Sequence, residues 1–168
     1  KGLDFEHVRL VGVMNADSLL AMPDFRVNER SFQLLQQVAG RAGRKDEHGK
    51  VLIQVQRKNH PVIQALLQQD YQSLLLKELE ERNEFLYPPI TRMIRIIFRH
   101  ISLDRVQEAA VEITHQLKEF EDVLIVGPGE PVVSRVRNKY IREVLIKLHR
   151  SDQKNKALKS KIRSLIQL

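Results

Sequence analysis

Two arginines, Arg41 and Arg44, are the side chains whose type and spacing point most directly to chemistry in this 168-residue chain. They end the segment Gln37-Val-Ala-Gly40-Arg41-Ala-Gly43-Arg44. A guanidinium is planar and permanently charged, so it can bind two phosphate oxygens at once, and glycines let the backbone approach a ligand. The pattern predicts a clamp for the terminal phosphates of a nucleotide. A solvated basic helix end with a glycine cap gives the same letters, and spacing alone leaves both interpretations open.

The segment is expected to lie between a helix and a buried strand. The apolar, β-branched run over residues 8–14 predicts one strand of a parallel sheet, and residues 51–55 predict a second. Residues 32–39 predict a helix that leads into the Arg/Gly segment. The positions of that helix expected on one apolar face are Phe32, Leu35, Val38 and Ala39.

Other short motifs give these elements a context. Gly2-Leu3-Asp4 precedes the first strand, and the Arg/Gly segment precedes the second. The two segments resemble motifs V and VI of superfamily 2 helicases and occur in the same order. Further stretches, namely Asn15-Ala-Asp17, Pro23-Asp24-Phe25-Arg26 and Phe85-Leu-Tyr87-Pro88-Pro89, are similar to the primosomal protein N′ family of replication-restart DNA helicases. The resemblance covers most of the chain and is strongest over residues 1–60 and around 85–99.

The resemblance implies roles for individual residues. Arg44 matches the arginine finger that stabilises the charge on a transferring phosphoryl group, and Arg41 supports it. The remaining matches on the nucleotide side are Gln37, Gly40 and Gly43 of motif VI, and Gly2 and Asp4 of motif V. ATP with Mg²⁺ is the implied cofactor of the whole protein. The family's zinc belongs to a paired-cysteine insert, and this chain has no cysteine, so no zinc is expected here.

The nucleotide site is expected to be incomplete. No G-x-x-x-x-G-K-[ST] segment is present to hold the β- and γ-phosphates and to organise Mg²⁺, and no Asp-Glu pair ends an apolar strand before the Arg/Gly segment. The chain begins with Lys inside a motif, so we expect a piece of a longer protein that does not hydrolyse ATP alone. Its histidines show no ligand spacing, which predicts no metal site.

The charge of the chain is concentrated at one end. The net charge is +7, yet residues 130–168 carry eleven Lys and Arg against three acids. Such asymmetry indicates a surface that meets polyanions, although a merely solvated basic helix would also produce it. The predicted DNA-binding residues are Arg135, Arg137, Lys147, Lys154, Lys156, Lys159, Lys161 and Arg163.

The predicted fold is mixed α/β with two domains. Residues 1–85 are expected to complete the second RecA-like lobe of the motor, with two helices after His60-Pro61 and a solvated acidic patch at Glu78, Glu80, Glu81 and Glu84. Residues 86–91 are expected to form a Tyr-Pro-Pro linker, since Pro88-Pro89 stops a helix. Stacking of Tyr87 on a base is the alternative role for this segment.

Residues 92–168 predict a small β-α-β-β-β-α domain with its helices on one face of a sheet. The strands are expected over 93–98, 123–126, 132–137 and 141–148, with a turn at Asn138-Lys139 and a helix capped by Ser102. In the last strand Val144, Ile146 and Leu148 should face the core, and Glu143 and Lys147 should face out. A final helix capped by Ser151 should bury Leu158, Ile162, Leu165 and Ile166. The resemblance implies a small ribosomal-protein fold that contacts branched DNA.

Three functions remain open. The first is part of an ATP-dependent helicase that restarts stalled forks and begins primosome assembly, for which the resemblance implies 3′-to-5′ translocation. Its implied partners are DNA forks and single-strand/duplex junctions, single-strand DNA-binding protein and primosome loading factors. The second is another superfamily 2 translocase. The third is a non-enzymatic nucleic-acid-binding module, in which the Arg/Gly segment contacts backbone phosphate. No apolar run is long enough to span a bilayer, so we expect no membrane partner and a bacterial cytoplasmic, nucleoid-associated location.

Overall fold

A computed structural model describes residues 8–42, 49–121, 123–149 and 152–166, except for the side chains of 152–154. The chain divides into two compact units, Lys1–Glu81 and Arg82–Leu168. Within the described residues each unit combines helices with strands, a parallel pair in the first and an antiparallel sheet in the second. The predicted mixed α/β fold class is therefore confirmed.

The first unit is built around two short parallel strands. Strands β1 (Leu10–Val13) and β2 (Lys50–Ile53) pair in register, with Leu10 opposite Lys50 and Val13 opposite Ile53. Two helices, α1 (Asp17–Leu20) and α2 (Val27–Ala39), lie between them in the chain. Helices α3 (Pro61–Gln68) and α4 (Tyr71–Glu84) follow β2, as the sequence predicts. Both strands are shorter than predicted, and α2 begins five residues before Phe32.

The core of the first unit lies between α2, α3 and α4. Phe32 and Leu35 of α2 are buried against α3, and Leu74 of α4 completes the cluster. The prediction that Glu78 belongs to a solvated patch is wrong. Its side chain is only 6% exposed and accepts a hydrogen bond of 2.8 Å from Asn28 Nδ2 of α2. The hydrogen bond gives the buried carboxylate the partner that it needs. It also links α2 to α4.

The second unit has the predicted β-α-β-β-β-α order. Strand β3 (Arg92–His100) leads through α5 (Leu103–Leu117) to β4 (Val123–Gly129), and a short β5 (Arg135–Val136) precedes β6 (Lys139–Leu148) and α6 (Asp152–Ile166). All pairings are antiparallel, in the spatial order β3-β6-β4, and β5 pairs with the start of β6. The long central strand β6 therefore holds the unit together.

The alternation of β6 decides which face meets the helices. Val144, Ile146 and Leu148 are at most 1% exposed and form one cluster with Leu117 of α5 and Leu158 of α6, as predicted. Helix α5 begins where expected, because Ser102 Oγ accepts a hydrogen bond from the Arg105 amide. The prediction that Ile166 is buried is wrong, since this residue is 61% exposed at the end of α6.

The hairpin and the edge strand differ from the prediction in detail. The turn between β5 and β6 is formed by Arg137 and Asn138, whose φ angles are 48° and 63°, so β6 begins at Lys139. Positive φ at both central positions suits a two-residue hairpin turn, and the predicted turn lies one residue too late. Strand β4 continues to Gly129 with a shift in register, whereas it was expected to end before Gly127.

Candidate functional site

The predicted phosphate segment follows directly from α2. Gln37 is exposed in the last turn of this helix, and Arg41 is half-buried just beyond it. Hydrogen bonds from the amides of Arg41 to Val38 O (3.1 Å) and of Ala42 to Ala39 O (3.1 Å) tighten the helix end. Gln37 therefore belongs to the helix itself, whereas Arg41 belongs to the turn that ends it.

The backbone geometry at Gly40 does not require a glycine. Its φ is −66°, in the right-handed region, so it is not a left-handed glycine cap. A Cβ built at this position would meet Gln36 O at 3.5 Å, which is an ordinary contact. The helix end would therefore accept a side chain here. The other predicted residues of the nucleotide site, namely Gly2, Asp4, Gly43 and Arg44, lie outside the described residues.

Polar groups meet at the carboxyl ends of β1 and β2. Asp17 accepts a hydrogen bond of 2.9 Å from the Gln56 amide, and the Ala16 amide donates to Gln54 O at 3.0 Å. These bonds hold the segment after β2, where residues 56–61 line an open depression of about 660 Å³. The sequence analysis did not predict this group of polar residues around Asp17 and Gln56. Polar residues after a parallel strand are the usual signal for a ligand site.

His60 belongs to the same segment and has a structural role. Its Nδ1 accepts a hydrogen bond of 3.3 Å from the Val62 amide at the start of α3. Burial and the charge of Arg57 lower the pKa of His60, while Asp17 opposes them. The lowered pKa favours the neutral imidazole, which can accept this bond. Among the described residues, no three His, Cys, Asp or Glu side chains converge on a point that could hold a metal ion.

The hairpin of the second unit carries two of the predicted DNA-binding residues. Arg135 hydrogen-bonds Asn138 and lies with its guanidinium 4.7 Å from the centre of the Tyr140 ring. Arg137 is exposed in the turn itself. Arg135 pairs with Tyr140 near the start of β6, whereas Arg92 pairs with Leu148 at its end. At roughly 3.4 Å per residue, these two positions lie about 27 Å apart along the strand.

Lys147 departs most clearly from the expected arrangement. It was predicted to face solvent, but the residue is only 9% exposed. Its Nζ donates a hydrogen bond of 2.6 Å to Phe85 O and lies 4.0 Å from the centre of the Tyr87 ring. Burial lowers the pKa of Lys147. The contacts give Lys147 and Tyr87 a structural role within the second unit, since the lysine fastens the Tyr-Pro-Pro segment to the sheet.

The Lys and Arg residues of α6 lie on two edges of the helix. Leu158 and Ile162 form its buried stripe. Lys156, Lys159 and Arg163 are exposed at positions i, i+3 and i+7, so they form one edge. Lys161 is half-buried on the other edge. Lys154 falls in the same helix, but its side chain lies outside the described residues.

One arginine that the sequence reasoning did not select joins this group. Arg92, the first residue of β3, lines a surface groove of about 680 Å³ together with Lys159 of α6. The two prolines of the Tyr-Pro-Pro segment line the same groove. Because β3 and α6 are more than fifty residues apart in the chain, only the fold brings the two cations together.

Comparison with known proteins shows the family of this chain. Residues 83–168 match the family model described as the primosomal protein N C-terminal domain. Similar proteins are named replication restart protein PriA. The one from Bacillus subtilis is 38% identical over 95% of this chain and 20% of its own length. The Treponema pallidum protein is 39% identical over 88% of the chain and 23% of its length.

A third relative, from Synechocystis, is 38% identical over 88% of this chain and 18% of its own length. The chain thus spans about a fifth of the length of these curated relatives. The matched family domain covers almost the whole second unit, from the last two residues of α4 through α6. It includes the groove, the buried Lys147 and the basic edge of α6. The chain belongs to the primosomal protein N family.

Proposed function

We propose that this chain is part of an ATP-dependent DNA helicase that restarts stalled replication forks and begins primosome assembly. The observation that carries the proposal is the family match over residues 83–168, together with relatives named for replication restart. In this proposal the first unit belongs to the second RecA-like lobe of the motor. The second unit contacts DNA through its exposed Lys and Arg side chains.

The nucleotide side of the proposal rests on the segment after α2. Arg44 acts as the finger on the transferring phosphoryl group, Arg41 supports it, and Gln37 contacts the nucleotide from the same side of the helix end. The parallel pair β1–β2, covered by α2 and α3, suits one end of a RecA-like sheet. The P-loop and the Mg²⁺ site would be supplied by a part of the protein that this sequence does not contain.

The partners follow from the same proposal. The second unit would meet forks and single-strand/duplex junctions, since its exposed cations suit phosphate contacts with little sequence preference. Single-strand DNA-binding protein and primosome loading factors are the proposed protein partners, and the bacterial nucleoid is the proposed location. No helix among the described residues is both long and apolar enough to cross a membrane.

Substitution of Arg44 in the intact helicase tests the nucleotide side. We expect Arg44→Ala to lower kcat for ATP by roughly 10³- to 10⁵-fold, because the finger stabilises charge that develops in the transition state. Arg44→Lys should not restore it, since a point charge cannot replace a bidentate guanidinium. Lys77→Ala, at an exposed position of α4, serves as the charge-matched control.

The same variants separate the two uses of the Arg/Gly segment. An Arg44→Ala protein that hydrolyses ATP normally but binds DNA weakly would show that the segment contacts backbone phosphate. That result would favour a nucleic-acid-binding module without an arginine finger. Normal DNA affinity combined with the loss of kcat is the result expected from the helicase proposal.

A further inference from the structure

The groove at the start of β3 has both apolar and cationic residues in its lining. Its volume of about 680 Å³ lies within the roughly 300–1,000 Å³ that small-molecule sites occupy. Its apolar lining includes Pro88 and Pro89, together with Met93 and Leu148 of the sheet. Arg92 and Lys159 supply positive charge. A ligand that combines an anionic group with an apolar or ring-shaped part would match both kinds of lining.

The charge of the groove continues along the neighbouring helix. Lys159 belongs to the same exposed edge of α6 as Lys156 and Arg163. A polyanionic chain could therefore contact this edge and place one of its units in the groove beside Arg92. The opposite edge of α6 is different, because Lys161 is half-buried and does not line the groove.

Two hydrogen bonds fix the chain on either side of the prolines that line the groove. Thr91 is buried, and its Oγ1 donates a hydrogen bond of 2.6 Å to Leu86 O across the two prolines. Lys147 binds Phe85 O on the chain just before them. These two bonds position the prolines, so the site is formed before a ligand arrives. A preformed site loses less conformational freedom on binding.

We propose that this groove holds one nucleotide of single-stranded DNA, with its phosphate between Arg92 and Lys159 and its sugar and base against Pro88 and Pro89. The inference rests on the proposed DNA-binding function and adds to it a particular site. A single strand fits the concave shape better than a duplex, because its sugar and base are free to turn into a pocket. The phosphates of a duplex lie on a stiff outer surface, and its bases remain stacked inside.

Salt dependence of binding by the 168-residue chain tests the proposal, with oligodeoxythymidylate and a blunt hairpin duplex as probes. Each phosphate contact to a single strand contributes about 0.7 to the slope of log affinity against log salt. Because Arg92 and Lys159 share one phosphate in this proposal, we expect the double variant Arg92→Ala/Lys159→Ala to lower the slope on oligodeoxythymidylate by about 0.7. Each single variant should lower it by part of that amount. Lys77→Ala, which removes one positive charge from an exposed position of α4 that does not line the groove, should leave the slope nearly unchanged.

The outcomes separate the site from the general function. If the parent chain binds DNA and the two groove substitutions leave that binding unchanged, the groove proposal is overturned and the DNA-binding proposal stands. The same conclusion follows if Lys77→Ala weakens binding as much as the groove substitutions do. Tighter binding of the hairpin, lost in the same two variants, would overturn the single-strand assignment. No binding of either probe by the parent chain would overturn both proposals. Circular dichroism of each variant verifies the fold, and Lys159→Gln replaces any Lys159→Ala protein that unfolds.

Discussion

Lys147 Nζ lies 4.0 Å from the centre of the Tyr87 ring, on a strand where alternation alone would have turned the lysine to solvent. The same ammonium donates a hydrogen bond to Phe85 O. A buried ammonium is costly without such partners, and an aromatic face together with a carbonyl supplies them. The contact ties the segment before the prolines to the central strand, and it is therefore part of the support of the groove.

The Lys147–Tyr87 contact should contribute to stability. We expect Lys147→Met to lower the free energy of unfolding of the second unit by about 1–3 kcal/mol, because a hydrogen bond to a charged group is lost. A double-mutant cycle with Tyr87→Leu should give a coupling of about 0.5–2 kcal/mol in urea denaturation. Lys139→Met, at an exposed position of the same strand, should change stability by less than about 0.5 kcal/mol. A coupling near zero would show that Tyr87 does not hold the ammonium.

His60 should make the stability of the chain depend on pH. Its pKa in the folded chain lies below the ordinary value of 6.5, so the unfolded chain takes up the proton first as the pH falls. The stabilising effect of the neutral imidazole is therefore complete above about pH 6.5 and is lost as the pH falls through the lowered pKa.

Replacement by asparagine isolates this effect. Asn remains a good helix cap but does not titrate, so His60→Asn should remove the part of the pH dependence that lies below about pH 6.5. Thermal unfolding followed by circular dichroism across this range measures it. His115→Asn, at an exposed position of α5, is the matched control. Identical pH profiles for His60→Asn and the parent chain would contradict the assigned role.

Gly127 should tolerate no side chain. Its φ is +111°, and a Cβ at this position would meet Glu143 O of β6 at 2.8 Å. We expect Gly127→Ala to destabilise the second unit by about 1–3 kcal/mol, because a strained backbone is combined with a clash against a neighbouring strand. Gly129→Ala is the control, since a Cβ there has no atom within 4 Å. Equal melting temperatures for the two variants would contradict the assigned strain.

ATP turnover tests the incompleteness of the nucleotide site. The chain lacks the P-loop that holds the β- and γ-phosphates, so the purified 168-residue chain should release no phosphate from ATP, with or without DNA. A coupled phosphate-release assay measures this. Arg44→Ala in the same chain is the matched control for phosphate released by contaminating activity. DNA-stimulated turnover in the parent chain that disappears in this variant would show that the site is complete within the sequence.

Short-range patterns determined much of this protein. Hydrophobic alternation in β6 predicted that Val144, Ile146 and Leu148 face the core, because successive side chains of a strand point to opposite faces. Ser102 predicted the start of α5, since a capping hydroxyl acts on amides only a few residues away. The Arg/Gly segment and the basic end of the chain were visible as spacing and charge. Each of these signals is local in the sequence.

Tertiary structure decided what local patterns could not. Lys147 and Glu78 were expected in solvent, but partners 62 and 50 residues away in the chain bury them. Arg92 and Lys159 line one groove only because β6 places the start of β3 beside α6. The environment of a side chain depends on the elements that pack over it, and their positions follow from the burial of the whole core. Periodicity therefore assigns a residue to a face, but only the assembled fold decides whether that face meets water or protein.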